Sequence, residues 1–335
     1  MPARGPGPVP SRRLGSRQPP ASDPEEAVPA RERFVRADRY HVEREWKRYE
    51  GTAQRDLYRE LRERFLDRHS VDGGWTLDLG SGPGRFTARL GTGNVRRVAL
   101  DLSREALKIL KEAWPTPTTG VPPLPGRVRG DAVRPPFLPS AFSEVAVLGN
   151  TLGFAGAGAD QFLEAAESLV APGGTLLLEV APGPGERSRY LARLPPGSVR
   201  RLLWSPLRAV VPRIEREGYR REPRRKSREG TFRRLRGEDL SRRLTASGWD
   251  VREVLAVAPA LGPDASRLAS VRADSRAWSQ LILIEEELGH RPERWKEAAA
   301  VLVAAVRPAE GTRTSPAAGL EGRAPGRQVR SSGTR

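Results

Sequence analysis

Apolar residues fall into two rhythms along residues 75–180, and the two alternate. Short apolar runs read as strands: Trp75–Leu79, Val98–Leu102, Val128–Gly130, Phe142–Leu148 and Thr175–Val180, the first of them buried. Between them the spacing turns helical. Arg85–Leu90 reads as the opening of a helix, Ser103 caps another that runs to about Ala113 with Ala106, Leu107 and Leu110 on one face, and Asp160–Leu169 forms a third. Upstream, Leu57, Leu61 and Phe65 recur every four residues with Tyr58 beside them, which predicts a helix. Gly51 and Thr52 separate it from an earlier helical stretch carrying Trp46 and Tyr49, with Thr52 as N-cap. Downstream, 237–247 reads as a helix with Leu240 and Leu244 inward and Gly248 just past its end. Trp249–Ala258 and Ala298–Val306 read as a sixth and a seventh strand, with a loop that can hold short helices from Pro259 to about Arg276, an apolar stretch at Trp278–Leu288 and a turn from Pro292 between them.

Strand and helix in alternation predict an α/β protein with an open, doubly wound, mostly parallel sheet of seven strands and helices on both faces. The flanks differ. Residues 1–30, rich in Pro, Gly, Ser and Arg, and 308–335 read as disordered tails, the second of them basic. The expected organisation is then an N-terminal helical segment at 31–69 and a domain at 70–307, within which 181–236 is a basic insertion. The N-terminal helices read either as a pair packed on the domain or as a lid whose Tyr49 or Arg55 reaches a ligand. Five prolines in 115–126 make that stretch a loop.

Charge sharpens the insertion. The formal net charge is +17, and 53 of the 58 basic residues are arginine. Between 186 and 250 the chain carries nineteen basic and eight acidic residues, whereas 141–185 has five acids and no Lys or Arg. The densest part, 213–236, reads either as a wall steering an anionic acceptor such as RNA or as a solvated, arginine-biased surface; Tyr219 and Phe232 are its only aromatics, few for a base-stacking platform. Overall arginine bias follows from genome composition as readily as from function. With no cysteine and three histidines far apart in sequence (His41, His69, His290), a thiolate or zinc centre has little basis. The N-terminus lacks an apolar signal core and no stretch approaches a membrane span, so the expectation is a cytoplasmic protein with no membrane partner.

The chemistry gathers after the first strand. Asp78 sits near its end, and Gly80, Gly82 and Gly84 follow at spacing two, with Ser81 between the first pair. Glycine suits a sharp turn or a close approach of backbone to ligand. Arg85 stands where the dinucleotide fingerprint would want glycine, and no Gly-Lys-Ser/Thr follows, which excludes that fingerprint and the phosphate loop. A carboxylate before the turn would repel phosphate and suits a ligand with an ammonium group. Asp101, 21 residues after Gly80 at the end of the second strand, can accept both hydroxyls of a ribose. Asp131 and Asn150 also fall at carboxyl ends of strands, where such sheets bind ligands.

In these features the sequence resembles the class I S-adenosylmethionine-dependent methyltransferases over Trp75–Val180, more weakly to about Arg307. Asp-x-Gly-x-Gly-x-Gly at 78–84 matches the family's first motif, Asp101 its ribose acid, Gly130-Asp131-Ala132 its adenine segment and Ala171–Thr175 the turn before its fifth strand. The resemblance implies S-adenosylmethionine as cofactor, held by Asp78, Gly80, Ser81, Gly82, Gly84, Asp101, Leu102, Asp131, Ala132, Asn150 and Thr151. Asp78 would face the methionine ammonium, and Asn150 and Thr151 the methionine or the acceptor; the alternative for Asn150 is a left-handed turn residue. Gly149–Phe154 resembles an element of small-molecule amine methyltransferases. The expected activity is transfer of a methyl group to nitrogen or oxygen of a small molecule. The alternatives are an RNA or protein acceptor, and a scaffold that binds the cofactor without turnover. No residue stands out as a base; Glu179, ending the fifth strand, reads either as orienting an amine or as a capped strand end.

Overall fold

The computed structural model describes residues 52–114, 122–181, 186–187, 196–217, 222–223, 236–259 and 265–309. The expectations for the N-terminal tail, for Trp46 and Tyr49, for most of the arginine-rich segment and for residues 310–335 lie outside the described residues.

Seven strands form one sheet: β1 (Asp72–Leu79), β2 (Thr92–Asp101), β3 (Gly126–Arg129), β4 (Phe142–Val147), β5 (Val170–Val180), β6 (Asp250–Val257) and β7 (Ala300–Val306). In space they run β3-β2-β1-β4-β5-β7-β6. The first five are parallel, while β7 lies antiparallel to both β5 and β6. Strand order reverses between β1 and β4, so the loops after these two strands diverge and leave a crevice at their carboxyl ends.

Helices cover both faces. On one face, α1 (Ala53–His69) packs with α4 (Pro196–Leu203), α5 (Leu207–Glu217), α7 (Ala265–Arg272) and α8 (Ser275–Gly289) over Leu148, Leu177, Leu255 and Leu302. On the other, α3 (Ala159–Leu169) and α6 (Gly237–Ala246) pack over Leu79, Val147, Leu178 and Val303. Central strands such as β7 are buried almost end to end, because helices take both sides of them. The caps follow the sequence. Thr52 accepts the Arg55 N–H at the start of α1, and Ser103 accepts the Ala106 N–H at the start of α2 (Arg104–Ala113).

Three expectations are corrected. Arg85–Leu90 does not open a helix: residues 82–86 turn, and only Thr87–Arg89 makes a 3₁₀ turn. Just twelve residues separate β1 from β2, too few for a helix and two connections. Trp75 is 43% exposed rather than buried, since β1 is covered only from Thr76 onward; its ring packs under the Arg96 guanidinium at 5.3 Å. The Pro172-Gly173-Gly174 turn lies inside β5 as a wide bulge: Phe142 pairs with Val170, yet Glu144 pairs with Thr175. Backbone bonds from Gly173 to Arg307 and from Arg307 to Gly174 pin that bulge to the end of β7.

Candidate cofactor site at the carboxyl ends of the strands

The site is assembled by backbone turns that fasten neighbouring strands together. After β1, the N–H groups of Gly80 and Ser81 both donate to Leu100 O of β2, at 2.8 and 3.0 Å. The turn then reaches the end of β2, where the Gly82 N–H donates to Asp101 Oδ2 at 2.7 Å. The other Asp101 oxygen accepts the Ser103 N–H at 2.8 Å, so the carboxylate is held between the glycine turn and the start of α2.

The three glycines have different neighbours. All have positive φ, at 79°, 53° and 82° for Gly80, Gly82 and Gly84. A Cβ on Gly80 would lie 2.2 Å from Thr151 Cγ2, and one on Gly84 would lie 2.5 Å from Leu110 Cδ1. These two permit close packing within the protein. A Cβ on Gly82 would meet nothing within 4 Å, so the bare backbone there faces open space beside Asp101.

Asp78 lies beneath the turn, 3% exposed, and its Oδ2 accepts the Thr87 hydroxyl at 2.6 Å. Burial pushes the Asp78 carboxyl up to about 7; the Thr87 hydrogen bond opposes the rise and the Asp101 charge adds to it. A cation entering here would meet two acidic groups.

The next loops join the same edge. The Gly130 N–H donates to Asp101 O at 3.1 Å, and Asp131 Oδ1 accepts the Val133 N–H, which orders Asp131 and Ala132 one strand outward. Leu102, half-buried, gives its carbonyl to Arg129 Nε. On the other side, Thr151 Oγ1 contacts Leu148 O at 2.6 Å and Gly80 O at 3.2 Å, a bridge between the β4 and β1 turns. Asn150 adopts the left-handed conformation (φ 64°), and its side-chain oxygen accepts the Ala181 N–H at 2.8 Å. That is the turn role, and it ties β4 to β5.

Glu179, near the end of β5, faces the protein interior. It is 2% exposed and forms a two-pronged pair with Arg62 of α1, at 2.9 and 2.6 Å. Its Oε2 also accepts the Gly149 N–H at 3.1 Å. Burial raises this carboxyl, but the Arg62 charge and hydrogen bonds, with the Gly149 amide and the Arg85 charge, outweigh it and hold Glu179 below the usual range. Sequence reasoning missed Arg62 and Thr87. The signal for Arg62 was present: it stands four residues from both Tyr58 and Leu66, on the apolar side of α1, where a cation requires a buried acid.

Residues 77–178, which contain the glycine turn, Asp101, Asp131 and Asn150, match the family model described as a methyltransferase domain. Residues 77–178 are a methyltransferase domain. The open backbone at Gly82, beside Asp101, leaves room for a ligand. A search of curated proteins returns no match. Similar solved structures include a Haloferax volcanii methyltransferase in complex with its activator (18% identity, 85% of this chain and 100% of that one, TM-score 0.47). Also similar are the magnesium protoporphyrin IX methyltransferase of Synechocystis with bound cofactor (12%, 84% and 99%, 0.47) and the 1,6-didemethyltoxoflavin N1-methyltransferase of Burkholderia thailandensis (15%, 89% and 99%, 0.45). Among the described residues no helix is long and apolar enough to cross a membrane, and no cluster of His, Cys, Asp and Glu could hold a metal ion.

Proposed function

We propose that the methyltransferase acts on a nitrogen or oxygen nucleophile of a small molecule. The observation that supports this reading is the burial of Glu179, near the carboxyl end of β5, on the face that the helices cover. Glu179 is 2% exposed beneath α1, and α4, α5, α7 and α8 pack on the same face. An enclosed centre excludes water and suits a small acceptor better than a polymer.

S-adenosylmethionine supplies an electrophilic methyl group on a sulfonium. The chain's own residues bind and orient. Asp101 would accept the ribose hydroxyls, with Leu102 beside them. Asp131 and the Ala132 amide would hold the adenine. The backbone at Gly80, Ser81 and Gly82 would hold the methionine part, with Gly84 closing the turn, and Asp78 would balance the ammonium charge. Asn150 and Thr151 border the space where methyl group and acceptor meet. Alignment of the nucleophile with the methyl carbon and sulfur is then the protein's main contribution. A base is needed only for an acceptor that arrives protonated.

Incubation with cofactor labelled on its methyl group and a cell extract, then fractionation, tests the reading. Label is expected in the small-molecule fraction. Label confined to RNA or protein would overturn it, and label in no fraction would favour a binding scaffold.

A further inference from the structure

The Arg62–Glu179 pair lies outside the residues that hold the cofactor, yet it is placed to govern them. Its side chains are 6% and 3% exposed and belong to elements 117 residues apart in sequence. Removing two charges from water costs several kcal/mol per ion, and apolar residues of similar size commonly fill such a place at no loss of stability. A buried pair here calls for a role beyond stability.

The hydrogen bonds indicate which role. The Arg62 guanidinium is fixed from behind by Tyr58 O of its own helix at 2.9 Å. It grips both oxygens of Glu179, and Glu179 Oε2 takes the N–H of Gly149. The next residue, Asn150, holds Ala181 N, and the one after it, Thr151, reaches Gly80 O. Gly80 has no room to absorb a shift of Thr151, since even a Cβ there would stand 2.2 Å from Thr151 Cγ2. A chain of contacts thus runs from α1 to the glycine turn through the β5 and β4 ends. Asp101, Leu102 and Asp131, on the far side of the turn, are not part of it.

We propose that Arg62 is a positioning residue for the methionine end of the cofactor site, so that the N-terminal helix completes that end of the site and leaves the adenosine end to the sheet. The proposal rests on the reading of 78–84 and 149–151 as the cofactor's methionine side. Positioning is local: loss of the Arg62 grip frees Glu179 and the Gly149–Thr151 turn, while the Asp101 contacts to Gly82 and Ser103 remain.

Calorimetry with two probes tests it on the full chain: S-adenosylmethionine, and 5′-methylthioadenosine, which lacks the amino-acid group. In folded Arg62→Met, affinity for S-adenosylmethionine is expected to fall about tenfold, the equivalent of one lost contact, with 5′-methylthioadenosine within about twofold of the unaltered protein. Arg62→Lys, which restores charge with a single point contact, should recover part of the loss. Equal weakening of both probes would assign Arg62 a general structural role, and no change in either would dismiss the coupling; each overturns the proposal. Should Arg62→Met not fold, Glu179→Gln decides by the same comparison, because it keeps an acceptor for Gly149 and removes the charge. Asp101→Ala separates the two claims. If it leaves both probes unaffected, the site reading itself fails; if it weakens both while Arg62→Met changes neither, only the positioning role fails.

Discussion

Adding one methyl group at Gly82 or at Gly84 should break different things. Both residues have positive φ, 53° and 82°, so alanine at either costs about 1–2 kcal/mol of left-handed strain. At Gly82 that is the whole cost to the empty protein, because a Cβ there meets nothing within 4 Å. Thermal melting of Gly82→Ala should fall by only about 2–4 °C per kcal/mol lost. The new methyl group instead fills the space above the turn. Forcing a ligand against it costs about 1–3 kcal/mol, or about 5- to 150-fold in Kd for S-adenosylmethionine. At Gly84 the Cβ would stand 2.5 Å from both Cδ1 and Cγ of Leu110, a buried side chain of α2. Overpacking there adds about 1–3 kcal/mol to the strain, and the damage goes to stability. Gly84→Ala should therefore melt lower than Gly82→Ala while binding the cofactor better, measured by calorimetry at a temperature where both are folded. Unchanged affinity in Gly82→Ala, or a larger affinity loss in Gly84→Ala, would refute the assignment of the open face at Gly82 to the cofactor.

Two further outcomes follow from acids held away from their ordinary pKa. Burial raises Glu144 to about 7, against the opposing bonds from Val71 and Gly91 N–H at 3.0 and 3.1 Å. A carboxyl raised on folding binds its proton more tightly in the native state, so its contribution falls as pH rises from about 4.5 to 7, by up to about 1.4 kcal/mol per pH unit. Glu144→Gln leaves one of the two amides facing a donor, at a cost of about 1–3 kcal/mol at pH 5, and that deficit should shrink toward pH 8; urea unfolding that shows a pH-independent difference would count against the buried ionisation. Glu253, on β6, accepts from Arg68 and His69 of α1 and from His290 beyond α8, and its carboxylate raises the His290 pKa. In Glu253→Gln the His290 ring proton resonance should titrate at lower pH than in the unaltered protein, and an unmoved midpoint would mean the pair does not form.

What was legible in the chain was whatever depends on neighbours in sequence. The Thr52 and Ser103 caps, the inward Leu240 and Leu244, Gly248 past its helix and the carboxylate at the end of β2 all act over a few residues, and the structure places each as read. The helix expected after Gly84 failed because an apolar rhythm does not count the residues left for connections; β2 begins earlier than its apolar core, at Thr92, and takes the space. Trp75 was misread because apolar character alone does not tell where along a strand the covering helices begin. Pairings at long range left no local mark. Arg62 finds Glu179, and His69 and His290 share Glu253, only once α1 lies across β6 and β7. Asn150 has the left-handed backbone, φ 64°, that one of its two readings expects.

The sheet order also has a consequence for synthesis. The strand that joins β5 to β6 is β7, the last of the seven to leave the ribosome. Until residues 300–306 emerge, β6 has no strand beside it, and β5 presents an open edge bearing Leu176 and Leu178. Such an edge is a template for pairing with another chain. Translation therefore runs through a long interval in which β6 is unpaired and β5 keeps an open edge, and a chain halted before Ala300 should accumulate as aggregate rather than as a smaller folded protein.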